Sequence, residues 1–337
     1  MKKLLILFAF FTCVFIAKAQ DAKELQETGR GFMRQGDFAN AALVLARALQ
    51  QEPSNIEIGK DLALNYYLQK DYSKALETIK PLTDQSGADD QCFQIAGNIY
   101  KAMGQPKECE KIYKKGLKKF PQSGALYNEY GELLWATQDL SAIKQWEKGI
   151  EMDPSYSSNY YNATRYYYIT SDKVWSIIYG EIFVNIESLT GRTAEIKNLL
   201  LDTYKKLYAD ASLFINTKDK NSFEQAFLQT LYKQNSLAAT GINPETLTMI
   251  RTRFILDWFN SFAVKFPFRL FDYHLQLLRE GMFDAYNQWI FGTAQNLVAY
   301  QNWTSSHAFE YDEFSKFQKG RIFKMPTRQY YHKVNSK

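Results

Sequence analysis

The stretch 22-AKELQETGRGFMRQGDFANAALVLARALQQEPSN-55 decides how the chain folds. Leu25, Gly29 and Phe32 recur at helical spacing, Gly36-Asp37-Phe38 breaks the pattern, and Ala41, Leu45 and Ala48 resume it before Pro53 ends it. Small residues at 29 and 41 let two helix backbones approach closely, Phe32 and Leu45 fill the space beside them, and proline cannot continue a helix. The same signature returns downstream. Residues 56–89 carry Leu62, Ala63, Tyr66, Asp71-Tyr72, Ala75 and Ile79, and residues 90–123 carry Phe93, Ala96-Gly97, Tyr100, Gly104, Cys109, Tyr113 and Pro121. Residues 124–156 carry Tyr127, Tyr130-Gly131, Leu134, Asp139-Leu140, Ala142, Trp146 and Pro154, with a turn read as one residue short. A fifth, degenerate unit opens near Ser157.

These spacings closely resemble the tetratricopeptide repeat. The resemblance implies an all-α array of antiparallel helix pairs, an α-solenoid superhelix, over residues 20–189, continuing into a divergent helical region over 190–320 and a basic tail over 321–337. In the divergent part the pattern predicts helices over Thr193–Tyr208 and Ser222–Leu237. A third is capped by Asn243 with Pro244 as its first residue, a helix–turn–helix follows with Gly281 in the turn, and a last short helix spans His307–Gln318. No strand-like alternation interrupts them.

The N-terminus reads as an export leader. Lys2 and Lys3 precede an apolar run from Leu4 to Ala17, and Ala17-Lys18-Ala19 supplies small residues for cleavage after Ala19. The run is shorter than a membrane span requires. Its Ala-Lys-Ala-Gln end resembles signal peptides of Bacteroidetes-type Gram-negative bacteria, which implies a periplasmic or secreted protein. The 337-residue chain has 41 basic and 36 acidic residues; removing the leader's three lysines leaves a net charge of +2, not a nucleic-acid-binding balance. The excess is local. Residues 314–337 hold Lys316, Lys319, Arg321, Lys324, Arg328, Lys333 and Lys337 and no acid. After cleavage Cys92 and Cys109 remain. The repeat register places Gly97 rather than Cys92 opposite Cys109, so two small buried residues are expected in place of a disulfide.

No segment resembles a nucleophile elbow, a phosphate loop, a dinucleotide fingerprint or a zinc motif, and no cofactor is expected. His274 sits where a helix-packing residue belongs and reads as a buried, hydrogen-bonded core histidine. His307, Glu310, Asp312 and Glu313 read as a solvated acidic helix rather than a metal site.

The resemblance also implies a concave surface lined by fixed positions of each first helix. Carried onto this sequence, they nominate Arg30, Arg34, Lys60, Tyr67, Gln94, Asn98, Lys101, Asn128, Trp135, Tyr161, Arg165 and Tyr168 as contacts for a protein or peptide. A second surface is expected in the C-terminal part, from Trp258, Arg269, Trp289, Trp303, Lys324 and Arg328, because Trp and Arg are frequent binding hot spots. On that reading residues 314–337 are dispensable for folding, although the tail itself is expected to pack along the last helices with Phe314, Phe317, Phe323, Tyr330 and Tyr331 buried and its bases in water. Docking of the tail on anionic lipid headgroups or an acidic partner is the alternative. The expected function is a non-enzymatic exported scaffold. A glycan-binding accessory of an outer-membrane uptake system, with peripheral membrane association, and an enzyme in the C-terminal half are the alternatives that the sequence leaves open.

Overall fold

The computed structural model describes residues 21–170 and 172–332, and the leader at 1–19 and the last five residues fall outside them. The described chain is all-α, with no strand among those residues. Its helices are α1 (Ala22–Arg34), α2 (Phe38–Gln51), α3 (Ile56–Leu68), α4 (Tyr72–Ile79), α5 (Asp90–Ala102), α6 (Pro106–Lys119), α7 (Gly124–Ala136), α8 (Ala142–Met152), α9 (Ser157–Ile169) and α10 (Lys173–Ile186). Then come α11 (Gly191–Ala209), α12 (Ser222–Tyr232), α13 (Pro244–Ser261), α14 (Arg269–Arg279), α15 (Phe283–Asn287), a π-helical turn Gln288–Gly292, α16 (Leu297–Ser306) and α17 (Ala308–Lys319).

By internal contacts the chain divides into two compact units, the first ending at Ile112 and the second beginning at Tyr113. In the first, polar residues in the inter-helix turns start the helices. The side chains of Asp21, Asp37, Asn55, Asp71 and Asp89 each accept the backbone N–H three residues on, satisfying one of the donors a helix start leaves open. The small residues act as their spacing requires. A Cβ on Gly29 would lie 2.6 Å from Leu45 Cγ, so α1 and α2 could not keep their separation with any larger residue there. Cys109 packs opposite Gly97 and its thiol lies 3.3 Å from that carbonyl oxygen; both described cysteines are buried thiols, not bridged to each other. Burial pushes the Cys92 thiol up to about 11, leaving it inert as a nucleophile.

The second unit begins with the same helix-pair pattern, α7–α8 and α9–α10. The fourth repeat is one residue short, as its spacing suggests: the helix caps Asp21, Asn55, Asp89 and Ser123 follow one another at 34 residues but Tyr156 follows Ser123 at 33. The missing residue falls at the start of α8, since Gln138 still stands 34 residues after Gly104 in the same left-handed conformation. The boundary expected at residue 189 falls inside this unit. The reason lies in α10, Lys-Val-Trp-Ser-Ile-Ile-Tyr-Gly-Glu-Ile-Phe-Val-Asn-Ile, which is largely apolar and buried on every face from Val174 to Val184. Helices from both sides must cover it. Asn243 caps α13 as expected, accepting from Thr246 N–H at 2.9 Å, and Gly281 takes φ +71° in the turn before α15.

The aromatic excess goes into this unit's core. Phe223, Phe254, Trp258, Phe266, Phe268 and Phe271 interlock with ring centroids about 5–6 Å apart, Trp258 and Phe271 at 4.8 Å. The C-terminal segment joins them. Phe323 and Met325 are buried, and Tyr331 stacks on Phe223 at 4.6 Å.

Candidate functional site

In the first unit α1, α3 and α5 bound a cleft of about 320 Å³, lined in part by Arg30, Lys60, Leu64, Gln94 and Asn98. Its cations are engaged within the protein. Arg30 Nε donates to Asp61 Oδ2 at 2.7 Å, and Gln26 donates to the same oxygen at 2.6 Å. Lys60 is almost wholly buried and pairs with Glu57 at 2.6 Å and Asp89 at 2.5 Å. Burial opposes its charge, but the two carboxylates outweigh it and hold the ammonium above its ordinary pKa. Arg34, Tyr67 and Lys101, nominated from sequence, are not among the residues lining the cleft; Tyr67 packs on Tyr72 with centroids 5.8 Å apart.

The second unit holds a groove of different chemistry, about 250 Å³, formed chiefly by the facing helices α7, α9 and α11. Trp135 forms one wall, partly exposed, 6.0 Å from Trp146 and edge-on to Tyr166 at 5.8 Å. Arg165, Tyr168 and the exposed Ile169 continue along α9, and Glu195 and Leu199 face them from α11. The polar groups are held at repeat-equivalent positions. Tyr161 donates to Glu195 at 2.6 Å and Tyr168 to Asp202 at 2.6 Å, each pair 34 residues apart. Arg165 Nε lies 3.2 Å from the other Glu195 oxygen, and Lys206 sits 4.0 Å over the Tyr168 ring. Trp135, Arg165 and Tyr168 line this groove, as their sequence positions suggested, and Tyr161 braces its rim. Asn128 does not. It is buried beneath, accepting from Asn162 at 2.9 Å and donating to Glu132 at 3.0 Å.

Tyr166, Ile169, Glu195 and Leu199 were missed. The first two follow nominated positions by one residue, and the last two lie beyond 189, where the repeat signature fades although the helix pairing continues.

The C-terminal surface needs correction. Trp258 is completely buried in the aromatic core, and Trp289 is buried with the Lys197 ammonium 3.8 Å over its ring. Burial pulls that amine down to about 7. Large aromatics on apolar helices packed as core. Arg269 is half-buried over Tyr273 and Phe323, Trp303 stacks on His307 at 4.3 Å, and only Lys324 and Arg328 stand fully exposed. The expectation that residues 314–337 are dispensable also fails, because Phe314, Phe323, Met325 and His332 are all buried.

Two buried polar clusters stabilise this unit without reaching solvent. Glu181 on α10 accepts from Arg251, from His274 Nε2 at 2.8 Å and from Tyr286 at 3.0 Å. Burial raises the Glu181 carboxyl, but Arg251 and His274 overcome it and hold it down at about 2; burial lowers His274. His274 is therefore the buried, hydrogen-bonded histidine its position suggested. The second cluster joins Glu147, Tyr167 and His332, with Tyr330 donating to the Glu147 backbone carbonyl at 2.7 Å. Among the described residues no group of three or more His, Cys, Asp or Glu is placed to hold a metal ion.

Residues 32–99 match the family model of the tetratricopeptide repeat. No curated protein matches the chain at a significant level. Solved structures similar to it include a thermophilic TPR protein of Thermus thermophilus, 13% identical over 53% of this chain and 99% of that one, with TM-score 0.44. PilF of Pseudomonas aeruginosa is 15% identical over 58% and 90%, with TM-score 0.47. YrrB, described as a TPR protein with an unusual peptide-binding site, is 16% identical over 53% and 92%, with TM-score 0.37.

Proposed function

We propose that this chain is an exported, non-enzymatic repeat scaffold that holds a protein or peptide partner in the groove of its second unit. The observation that carries the reading is the juxtaposition of half-exposed aromatics, Trp135, Tyr166 and Tyr168, with the Arg165–Glu195 pair and the exposed Ile169. Broad aromatic faces bury an apolar side chain at small entropic cost, and the rim offers donors and acceptors to a peptide backbone. The repeat match over 32–99 supports a role in protein–protein interaction. Export, to the periplasm or beyond, rests on the leader sequence at residues 1–19.

A photo-reactive amino acid placed at Ile169 in the full chain, expressed in the cells that make it, tests the groove. It should trap one discrete protein, and Trp135→Ala should abolish the adduct. The same probe at Leu140, equally exposed at 64%, should trap none. Binding to a glycan panel that Trp135→Ala abolishes, with no protein adduct at 169, would replace the scaffold reading with the glycan one.

A further inference from the structure

The C-terminal segment after α17 is extended, and its anchors determine what it shows to solvent. Phe323 and Met325 point into the core, so Ile322 and Lys324, which alternate with them, point away, and Ile322 is 82% exposed. The segment then runs beside the turn joining α13 to α14. Tyr331 donates to the Pro267 carbonyl at 2.9 Å and packs edge-on to Phe266 at 5.6 Å, and the Arg269 backbone N–H donates to the Gln329 side chain. That turn carries its own projecting aliphatic, Val264, at 99% exposure. Residues 319–332 contain no acid, and neither do residues 262–271. Exposed Lys265 adjoins Val264 in sequence, and exposed Lys319, Arg321 and Lys324 flank Ile322, with exposed Arg328 further along the segment. Of the acids flanking these segments, Asp312 and Glu313 share Lys316 at 2.8 and 3.0 Å, and Asp272 faces Arg269.

Exposed aliphatic side chains rising from basic segments that contain no acid match a receiver that is both apolar and anionic. A bilayer bearing acidic headgroups offers both, taking the aliphatic tips between headgroups while the bases meet phosphates. We propose that this basic, aliphatic-tipped face docks the protein on an anionic lipid surface. The docking is peripheral, because no described helix is long and apolar enough to cross a membrane.

Co-sedimentation of the leader-free chain with vesicles tests this, using equal parts phosphatidylglycerol and phosphatidylcholine against phosphatidylcholine alone. The protein should pellet with the anionic vesicles only, and added sodium chloride should release it. Neutralising two surface bases, as Arg321→Gln with Lys324→Gln, should weaken partitioning about 30-fold at low salt. Ile322→Asp with Val264→Asp should weaken it further, while Lys107→Gln with Lys118→Gln, exposed lysines of α6, should leave it unchanged. Unaltered thermal melting of each variant shows that the fold persists. Equal loss in the Lys107/Lys118 pair would reduce the effect to net charge and overturn the proposal. So would binding to polyglutamate without binding to vesicles, which would assign the face to an acidic polypeptide.

Discussion

Gly36, Lys70, Gly104 and Gln138 lie 34 residues apart, and all hold φ between +62° and +78°. Glycine adopts this conformation freely, whereas Lys70 and Gln138 bear the steric cost of a side chain in the left-handed region. Lys70→Gly should therefore raise stability by about 0.5–1 kcal/mol, and Gly104→Ala should lower it by about 1 kcal/mol, both read from urea unfolding. The two glycines were legible as turns. Lys70 and Gln138 were not, because their residue types carry no turn signal and only the repeat register assigns them one. Glu147 and His332 give a pH signature of the same local kind. Burial raises the Glu147 carboxyl from 4.5 to about 8 and lowers His332 from 6.5 to about 2. Between pH 4.5 and 8 the folded chain keeps a Glu147 proton that the unfolded chain has lost, so this group's stabilisation falls as pH rises. Between pH 6.5 and 2 the unfolded chain binds a His332 proton that the folded chain refuses, so stability falls as pH drops. The contributions cancel from pH 4.5 to 6.5, leaving a plateau. Above it, stability should decline by about 1.4 kcal/mol per pH unit up to about pH 7, where the buried Lys197 amine, held near 7, begins to offset the loss. Chemical unfolding at stepped pH should show that decline in the wild type and not in Glu147→Gln.

At the scale of the element, the C-terminal segment reads in sequence as a basic tail and folds as a strap. Its charges are visible in composition, and the burial of Phe314 and Phe323 is expected from sequence and found, but Met325 and His332 have no helical or strand period that marks them as inside. The strap is held by partners far along the chain: Tyr331 stacks on Phe223 and His332 lies edge-on to Trp175. Phe323→Ala should cost about 3–5 kcal/mol and lower the thermal midpoint, whereas Thr327→Ala, at an exposed neighbouring position, should leave it within about 0.5 kcal/mol. Unchanged melting of Phe323→Ala would mean that the strap is not part of the core. Trp258 and Trp289 illustrate the complementary difficulty. Tryptophan serves hot spots and cores alike, and only the buried face of α13 and the π-helical turn separate the two uses.

For the whole molecule, the helix-pair architecture was legible through the family resemblance that the repeat spacing carries, and Gly29, Gly131 and Cys109 each sit where a second helix packs closely against them. The groove was half legible. Trp135, Arg165 and Tyr168 came from repeat positions, but Glu195 and Leu199 come from a helix whose sequence no longer announces the repeat. The first unit contributes less than its sequence promised, since Arg30 and Lys60 are consumed by Asp61, Glu57 and Asp89. Partner capture should therefore centre on α9 and α11. Hydrogen–deuterium exchange of the chain, alone and with the protein trapped at position 169, reads this directly. Slowed exchange concentrated in residues 157–169 and 191–209 is the expected result. Protection confined to residues 22–102, or none in α9 and α11, would contradict the assignment of the groove.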